Sequence, residues 1–198
     1  MKKVLLLSLF LCTGLSGFSQ QGIGVRLGDP SGITYKKYSG DKALELSIGR
    51  SHSFNGRGFY NNHFTKWYDN EKFGFTDYHL LSSELSTPLG MHVHYLIHTD
   101  WFASEFDGLQ WYYGFGGTLR VQSFRYIYEY KVAKNQSWQL GEEKITDLDI
   151  GADVVLGTEY EFEDVPIRVF IDITLFMEIV NEPFRFWPLG GIGGRYMF

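Results

Sequence analysis

The sequence predicts an all-β fold: a closed, eight-stranded, antiparallel transmembrane β-barrel with long outer loops. Three observations predict it. Apolar residues recur at every second position in eight separate runs, the period of a strand rather than of a helix. The alternate positions of those runs are rich in glycine and carry charges of both signs. The chain also opens on an export-type leader and closes on an aromatic strand ending at Phe198.

Composition narrows the class further. Aromatic residues make up 18% of the 198 residues, and 23 are glycine, well above the usual glycine share of roughly 7%. A chain so rich in aromatics is not disordered. Eighteen Lys and Arg stand against 23 Asp and Glu for a net charge of −5. With no basic cluster, a nucleic-acid partner is not expected. The single cysteine, Cys12, excludes a disulfide framework and a cysteine-based zinc site.

Residues 1–19 read as a signal peptide. Lys2 and Lys3 precede an uncharged stretch from Val4 to Phe18, and Gly17 and Ser19 place small residues before a cut at Gln20. The apolar stretch is short for a membrane-spanning helix, which needs about 20 residues. Leu11, before Cys12, is not the small residue a lipoprotein signal requires. Residues 20–198 are then one barrel domain.

The runs follow in order. Ile23, Val25 and Leu27 alternate with Gly24, Arg26 and Gly28, and the turn Gly28–Gly32 leads to Ile33 and Tyr35. After Ser39-Gly40-Asp41-Lys42 come Leu44, Leu46 and Ile48. A fourth run holds Met91, Val93, Tyr95 and Ile97. The fifth holds Leu109, Trp111, Tyr113 and Phe115, with a possible continuation to Val121. The sixth extends from Leu148 to Glu161, the seventh from Ile167 to Leu175, and the eighth from Gly191 to Phe198.

Alternation alone does not say which face is wet. A membrane barrel places the apolar face against lipid and fills its lumen with polar residues. The polar face here holds Gly24, Gly49, Gly114, Gly116, Gly151, Gly157, Gly191 and Gly193, as a narrow eight-stranded lumen requires. On the same face Arg26, Lys36, Arg120, Arg168 and Arg195 oppose Glu45, Asp149, Asp153, Glu159, Glu161 and Asp172. These charges predict an internal ion-pair network.

The stretches Gly22–Gly32, Gly108–Gly114 and Gly190–Tyr196 resemble the small eight-stranded outer-membrane barrels of the Bacteroidetes type (OmpA/OmpX-like). The terminal strand Ile192, Tyr196 and Phe198 is similar to the ending by which such proteins meet the outer-membrane assembly machinery. The resemblance implies the outer membrane of a Gram-negative bacterium, with lipid and lipopolysaccharide around the barrel. It implies no cofactor and no catalytic residues.

With the N-terminus in the periplasm, the outer connections are Gly28–Gly32, Arg50 to Leu89, Gln122 to Asp147 and Phe176 to Pro188. The first is short for an outer loop. The second and third are too long to be structureless, so the strands are expected to continue above the membrane as ribbons. The second is rich in aromatics, and Phe59, Tyr60, Phe64, Trp67 and Tyr68 are the candidate binding residues.

Two motifs touch on chemistry. His92 and His94 share a strand face, with His98 on the same side if the strand persists, but no third convergent ligand can be placed by spacing, so they read as lumen filling and no metal is expected. Ser51-His52-Ser53-Phe54-Asn55-Gly56 resembles the His/Ser region of barrel enzymes that deacylate lipid A. In that family the two residues lie two apart. Here Ser53 directly follows His52 and would point to the opposite face of an extended strand. The expected role is structural or binding, through the outer loops, toward a partner protein or membrane-protein complex, lipopolysaccharide or an external surface. The alternative is a lipid A-modifying enzyme using His52 and Ser53.

Overall fold

The computed structural model describes residues 20–52, 61–66, 68, 74–100, 107–180 and 183–198. Residues 1–19, where a signal peptide is expected, lie outside the described residues. The strands are β1 (Gln21–Gly28), β2 (Ser31–Ser39), β3 (Lys42–Arg50), β4 (Asp77–Leu85), β5 (Leu89–Thr99), β6 (Leu109–Lys131), β7 (Gln139–Glu161), β8 (Ile167–Val180) and β9 (Phe186–Met197). Eight of them form a ring in the order β6–β5–β3–β2–β1–β9–β8–β7, and β7 returns to β6. All the pairings are antiparallel. Closure leaves the ring no edge, the condition for a sheet in lipid, where backbone groups find no water.

The first and last strands meet in the β1–β9 seam, from Gly22 opposite Met197 to Gly28 opposite Gly191. Gln21 N–H donates to the Phe198 carbonyl at 3.1 Å, and Phe198 N–H donates back to Gln21 at 2.8 Å. Gly40 and Asp41 join β2 to β3, and Gly40 takes a φ of 62°, which suits a two-residue hairpin whose twist matches its strands. The short first outer connection is just Asp29 and Pro30.

β6 and β7 are each 23 residues long, whereas a strand crosses a membrane in about 9–11 residues. At about 3.3 Å per residue they run roughly 75 Å. Their upper halves therefore leave the ring as a ribbon, with Phe124 opposite Ile145 and Tyr130 opposite Gln139. The third outer connection is thus a paired extension with a turn at residues 132–138. In the second connection β4 adds to this ribbon along β6, a strand that no clean alternation in the sequence announces. Leu85 lies opposite Phe124 and Leu89 opposite Val121, so the strand carries one extra residue between them. That bulge contains Pro88, which has no N–H to give to a ladder.

The alternation resolves as an inverted barrel. Val25, Leu27, Ile33, Phe115, Val154, Ile173 and Ile192 face outward in an apolar belt, and the charged residues turn inward. Tyr113, Phe162, Tyr196 and Phe198 lie outward at the end where Gln21 meets Phe198, as in an interfacial aromatic girdle. Unboiled protein in SDS is therefore expected to migrate apart from boiled protein, with a strand-dominated circular dichroism spectrum. Identical migration with a helical spectrum would exclude this fold.

Candidate functional site

The lumen is filled by a connected set of charges. Glu159 accepts from Lys36 Nζ at 2.8 Å and from the Tyr38 hydroxyl at 3.0 Å. Its other oxygen takes Arg168 at 3.1 Å, and Arg168 also holds Glu161 at 2.5 Å. Arg195 donates to Glu45 at 2.6 Å and lies 3.6 Å from Glu159. Arg26 grips Asp172 with both terminal nitrogens at 2.5 and 2.6 Å, the paired geometry that makes arginine–carboxylate contacts strong. Arg120 pairs with Asp149 nearer the ribbon. Arg26, Arg120 and Arg195 are all 2% exposed or less, so their pairing is a condition of burial rather than a surface ornament.

The inward glycines are seats for these large side chains. A Cβ on Gly191 would lie 2.3 Å from the Arg26 guanidinium carbon, and one on Gly193 would lie 2.5 Å from the Phe170 ring. Arg195 in turn lies 3.7 Å above that ring, within the range of a cation–π contact. Gly157 makes the same room for Tyr112, and Gly151 for Phe176. Glycine and bulky partner thus alternate across neighbouring strands, which is how so narrow a ring holds Arg26, Lys36, Arg120, Arg168 and Arg195 together.

One acid of the predicted network departs from it. Asp153 accepts from Thr118 Oγ1 and lies 3.4 Å from His94 Nε2; it has no Lys or Arg partner among the described residues. His92 stands beside His94 with ring centroids 5.4 Å apart. The third group that spacing could not place beside the two histidines is Asp153. His98, which shares their face in the sequence, lies in the other cluster, 3.2 Å from Glu159.

At the ribbon end of the lumen, Asp29 organises the chain as it leaves β3. Ser51 Oγ donates to Asp29 at 2.7 Å, and His52 N–H donates at 3.0 Å. The His52 ring is open to the surroundings and its Nδ1 is 3.4 Å from Asp29, while its carbonyl accepts from Arg120 at 3.0 Å. An acid therefore stands behind His52, a partner sequence spacing did not reveal. Ser53 lies outside the described residues, and the hydroxyl of Ser51 is spent on Asp29 rather than on the histidine.

Above the ring, β4, β6 and the upper part of β7 form a three-stranded sheet with β4 and β7 as its edges. One face is aromatic. Phe64 and Tyr68, from the helical residues 61–66 and 68, bury themselves against Phe124, Tyr126 and Tyr128. Tyr68 stacks on Tyr78 at 3.7 Å, and Phe75 on Tyr130 at 3.9 Å. Burial and the Asp147 charge push the Tyr126 phenol up to about 12. On the sheet's other face Arg125 bridges Glu84 at 2.5 Å and Glu142 at 3.0 Å, and those paired carboxylates hold its pKa up. Of the predicted binding residues, Phe64 and Tyr68 point into this cluster and fasten the second connection to the ribbon. Phe59, Tyr60 and Trp67 lie outside the described residues.

A lumen so filled has no space for a stream of hydrated ions. Planar-bilayer recordings of the unmodified protein are expected to show no large, steady conductance. A stable open channel would refute the packing described above.

Comparison with protein-family models and with curated proteins gives no match. Among solved structures, a major outer membrane protein of Thermus thermophilus aligns at 10% identity over 92% of this chain and 100% of its own, with a TM-score of 0.50. The N-terminal β-barrel domain of Pseudomonas aeruginosa OprF aligns at 14% identity over 91% of this chain and 96% of that domain, with a TM-score of 0.42. The attachment invasion locus protein Ail of Yersinia pestis aligns at 10% identity over 91% of this chain and 97% of its own, with a TM-score of 0.43. At such identity the likeness to the Thermus protein is one of fold alone, and that fold is the β-barrel of an outer-membrane protein.

Proposed function

We propose that this chain is an integral outer-membrane barrel of the OmpA/OmpX-like, Bacteroidetes type, exported by its leader, whose role is binding through the ribbon outside the membrane. The observation that carries the reading is the ribbon itself. The barrel below needs only its ring of eight strands to satisfy its backbone, yet β6 and β7 continue far beyond it. A third strand and a buried aromatic cluster stiffen the extension. A rigid platform loses little freedom on binding, and its edge strands and the charged face around Arg125 offer backbone and ionic contacts. The partner is a membrane-protein complex, lipopolysaccharide or an external surface. At the opposite end, Phe198 presents the terminal strand to the assembly machinery.

The experiment exchanges residues 59–75 for a short Gly/Ser linker. The barrel is expected to remain heat-modifiable while co-isolation of its membrane partner is lost. His52→Ala and Ser53→Ala, tested in parallel by lipid A mass spectrometry, are expected to change nothing. Loss of a lipid A species in those variants with the partner retained would replace the binding role by the enzymatic one, for which Asp29 beside His52 is the supporting contact.

A further inference from the structure

We propose that His92, His94 and Asp153 bind one divalent transition-metal ion of the zinc class inside the barrel. All three side chains are buried, and each offers one ligand atom within 4.8 Å of the others. They converge from two strands that do not pair with each other, both flanking β6. His94 on β5 lies opposite Gly116 on β6, and Gly116 lies opposite Asp153 on β7. A Cβ at Gly116 would stand 2.6 Å from the His94 ring. The missing side chain is what lets the imidazole and the carboxylate meet across the intervening strand.

The geometry suits a metal better than it suits a hydrogen-bonded lumen filler. His94 Nε2 and Asp153 Oδ1 are 3.4 Å apart, long for a hydrogen bond between such groups. Two ligands of a tetrahedral zinc, at bond lengths of about 2.0–2.2 Å, stand about 3.3–3.5 Å from each other. Among the described residues, neither ring nitrogen of His92 has a hydrogen-bond partner, nor has His94 Nε2 or Asp153 Oδ1. Buried polar atoms normally find a partner in protein, ordered water or an ion, and here such atoms of three ligating side chains converge on one point. The second oxygen of Asp153 accepts from Thr118, which aims the first toward the histidines, the orienting contact typical around a metal ligand. Two neutral imidazoles and one carboxylate form a donor set of zinc type and leave a position open for a fourth ligand. A bound cation also supplies the positive charge that Asp153, alone among the acids predicted to pair in the lumen, does not receive from Arg or Lys.

The test uses untagged full-length protein, extracted from membranes without chelator and, separately, refolded into detergent with and without zinc sulfate. About one zinc per chain is expected by elemental analysis, with X-ray absorption showing only nitrogen and oxygen ligands, and refolding with zinc should raise the midpoint of thermal unfolding. His92→Ala and Asp153→Asn should abolish stoichiometric zinc. Thr118→Val should weaken it about 10- to 100-fold. His79→Ala, on the exposed ribbon, should leave it unchanged. Zinc content near zero in wild-type protein, with no zinc-dependent change in unfolding, would overturn the proposal. Equal zinc in His92→Ala and Asp153→Asn would do the same by assigning the metal to surface histidines. Where His92→Ala or Asp153→Asn fails to fold, Thr118→Val, which leaves all three ligands in place, decides the matter: unweakened zinc binding there would overturn the proposal.

Discussion

Glu159→Ala is expected to prevent stable folding of the barrel. Glu159 is the carboxylate shared by Lys36 at 2.8 Å, Arg168 at 3.1 Å and Arg195 at 3.6 Å, with the Tyr38 hydroxyl on it as well. Removing one partner of a single buried ion pair costs about 3–5 kcal/mol, because the other charge stays buried and uncompensated. Here three cations lose an anion at once. Arg195 retains Glu45 and Arg168 retains Glu161, but Lys36 has no other carboxylate in an ion pair among the described residues. Since whole domains are stable by only about 5–15 kcal/mol, the loss is large enough to eliminate the heat-modifiable form. Glu159→Gln, which keeps the acceptor and the volume, should be intermediate. A Glu159→Ala barrel that unfolds at the wild-type temperature would show that the lumen network does not stabilise the fold.

The second large effect is expected at the seam where the first and last strands meet. Gly24 lies opposite Arg195 on β9, and a Cβ there would come within 1.9 Å of the Gly194 carbonyl oxygen. The obstacle is backbone, so no rotamer change relieves it. Gly24→Val should push β1 from β9, and each backbone group left unpaired in lipid costs several kcal/mol. The expected result is protein that is made but does not accumulate as closed barrel in the membrane. Gly194→Ala is the control. Its nearest neighbours would be 3.7 and 3.9 Å away, an ordinary contact, and folding should be unaffected. Equal assembly of the two variants would mean that the seam opens and closes more freely than the register indicates.

The ring was legible because alternation survives in short windows. Runs such as Ile23-Val25-Leu27 and Leu44-Leu46-Ile48 declare both a strand and its faces, and lipid outside with charge inside leaves one consistent way to orient them. The ribbon was legible only in part. The connection from Gln122 to Asp147 is too long for a structureless loop and so announces paired strands, but β4, Asp77–Leu85, hides its alternation behind a shift between Leu80 and Ser82. A bulge reverses the face of every later residue, so period two is lost to the eye while the ladder continues.

The candidate sites divide in the same manner. Which residues face the lumen follows from parity along each strand, so Arg26, Glu45, Arg168 and Asp172 were identifiable one strand at a time. Which of them pair does not follow, because partners come from strands far apart in the chain. Arg26 meets Asp172 over the intervening β9 and Lys36 meets Glu159 across the lumen, and only the registers around a closed ring fix those heights. Asp153 shows the limit most clearly. Sequence assigned it to an arginine, whereas Gly116, opposite both, brings it to His94 and leaves it within reach of His92. Local chemistry and the two-residue period thus determined the barrel, its orientation toward lipid and the polarity of its lumen. Closure of the ring decided the contacts, because the relative height of two side chains is a property of how strands are staggered, and that stagger is written in no single strand.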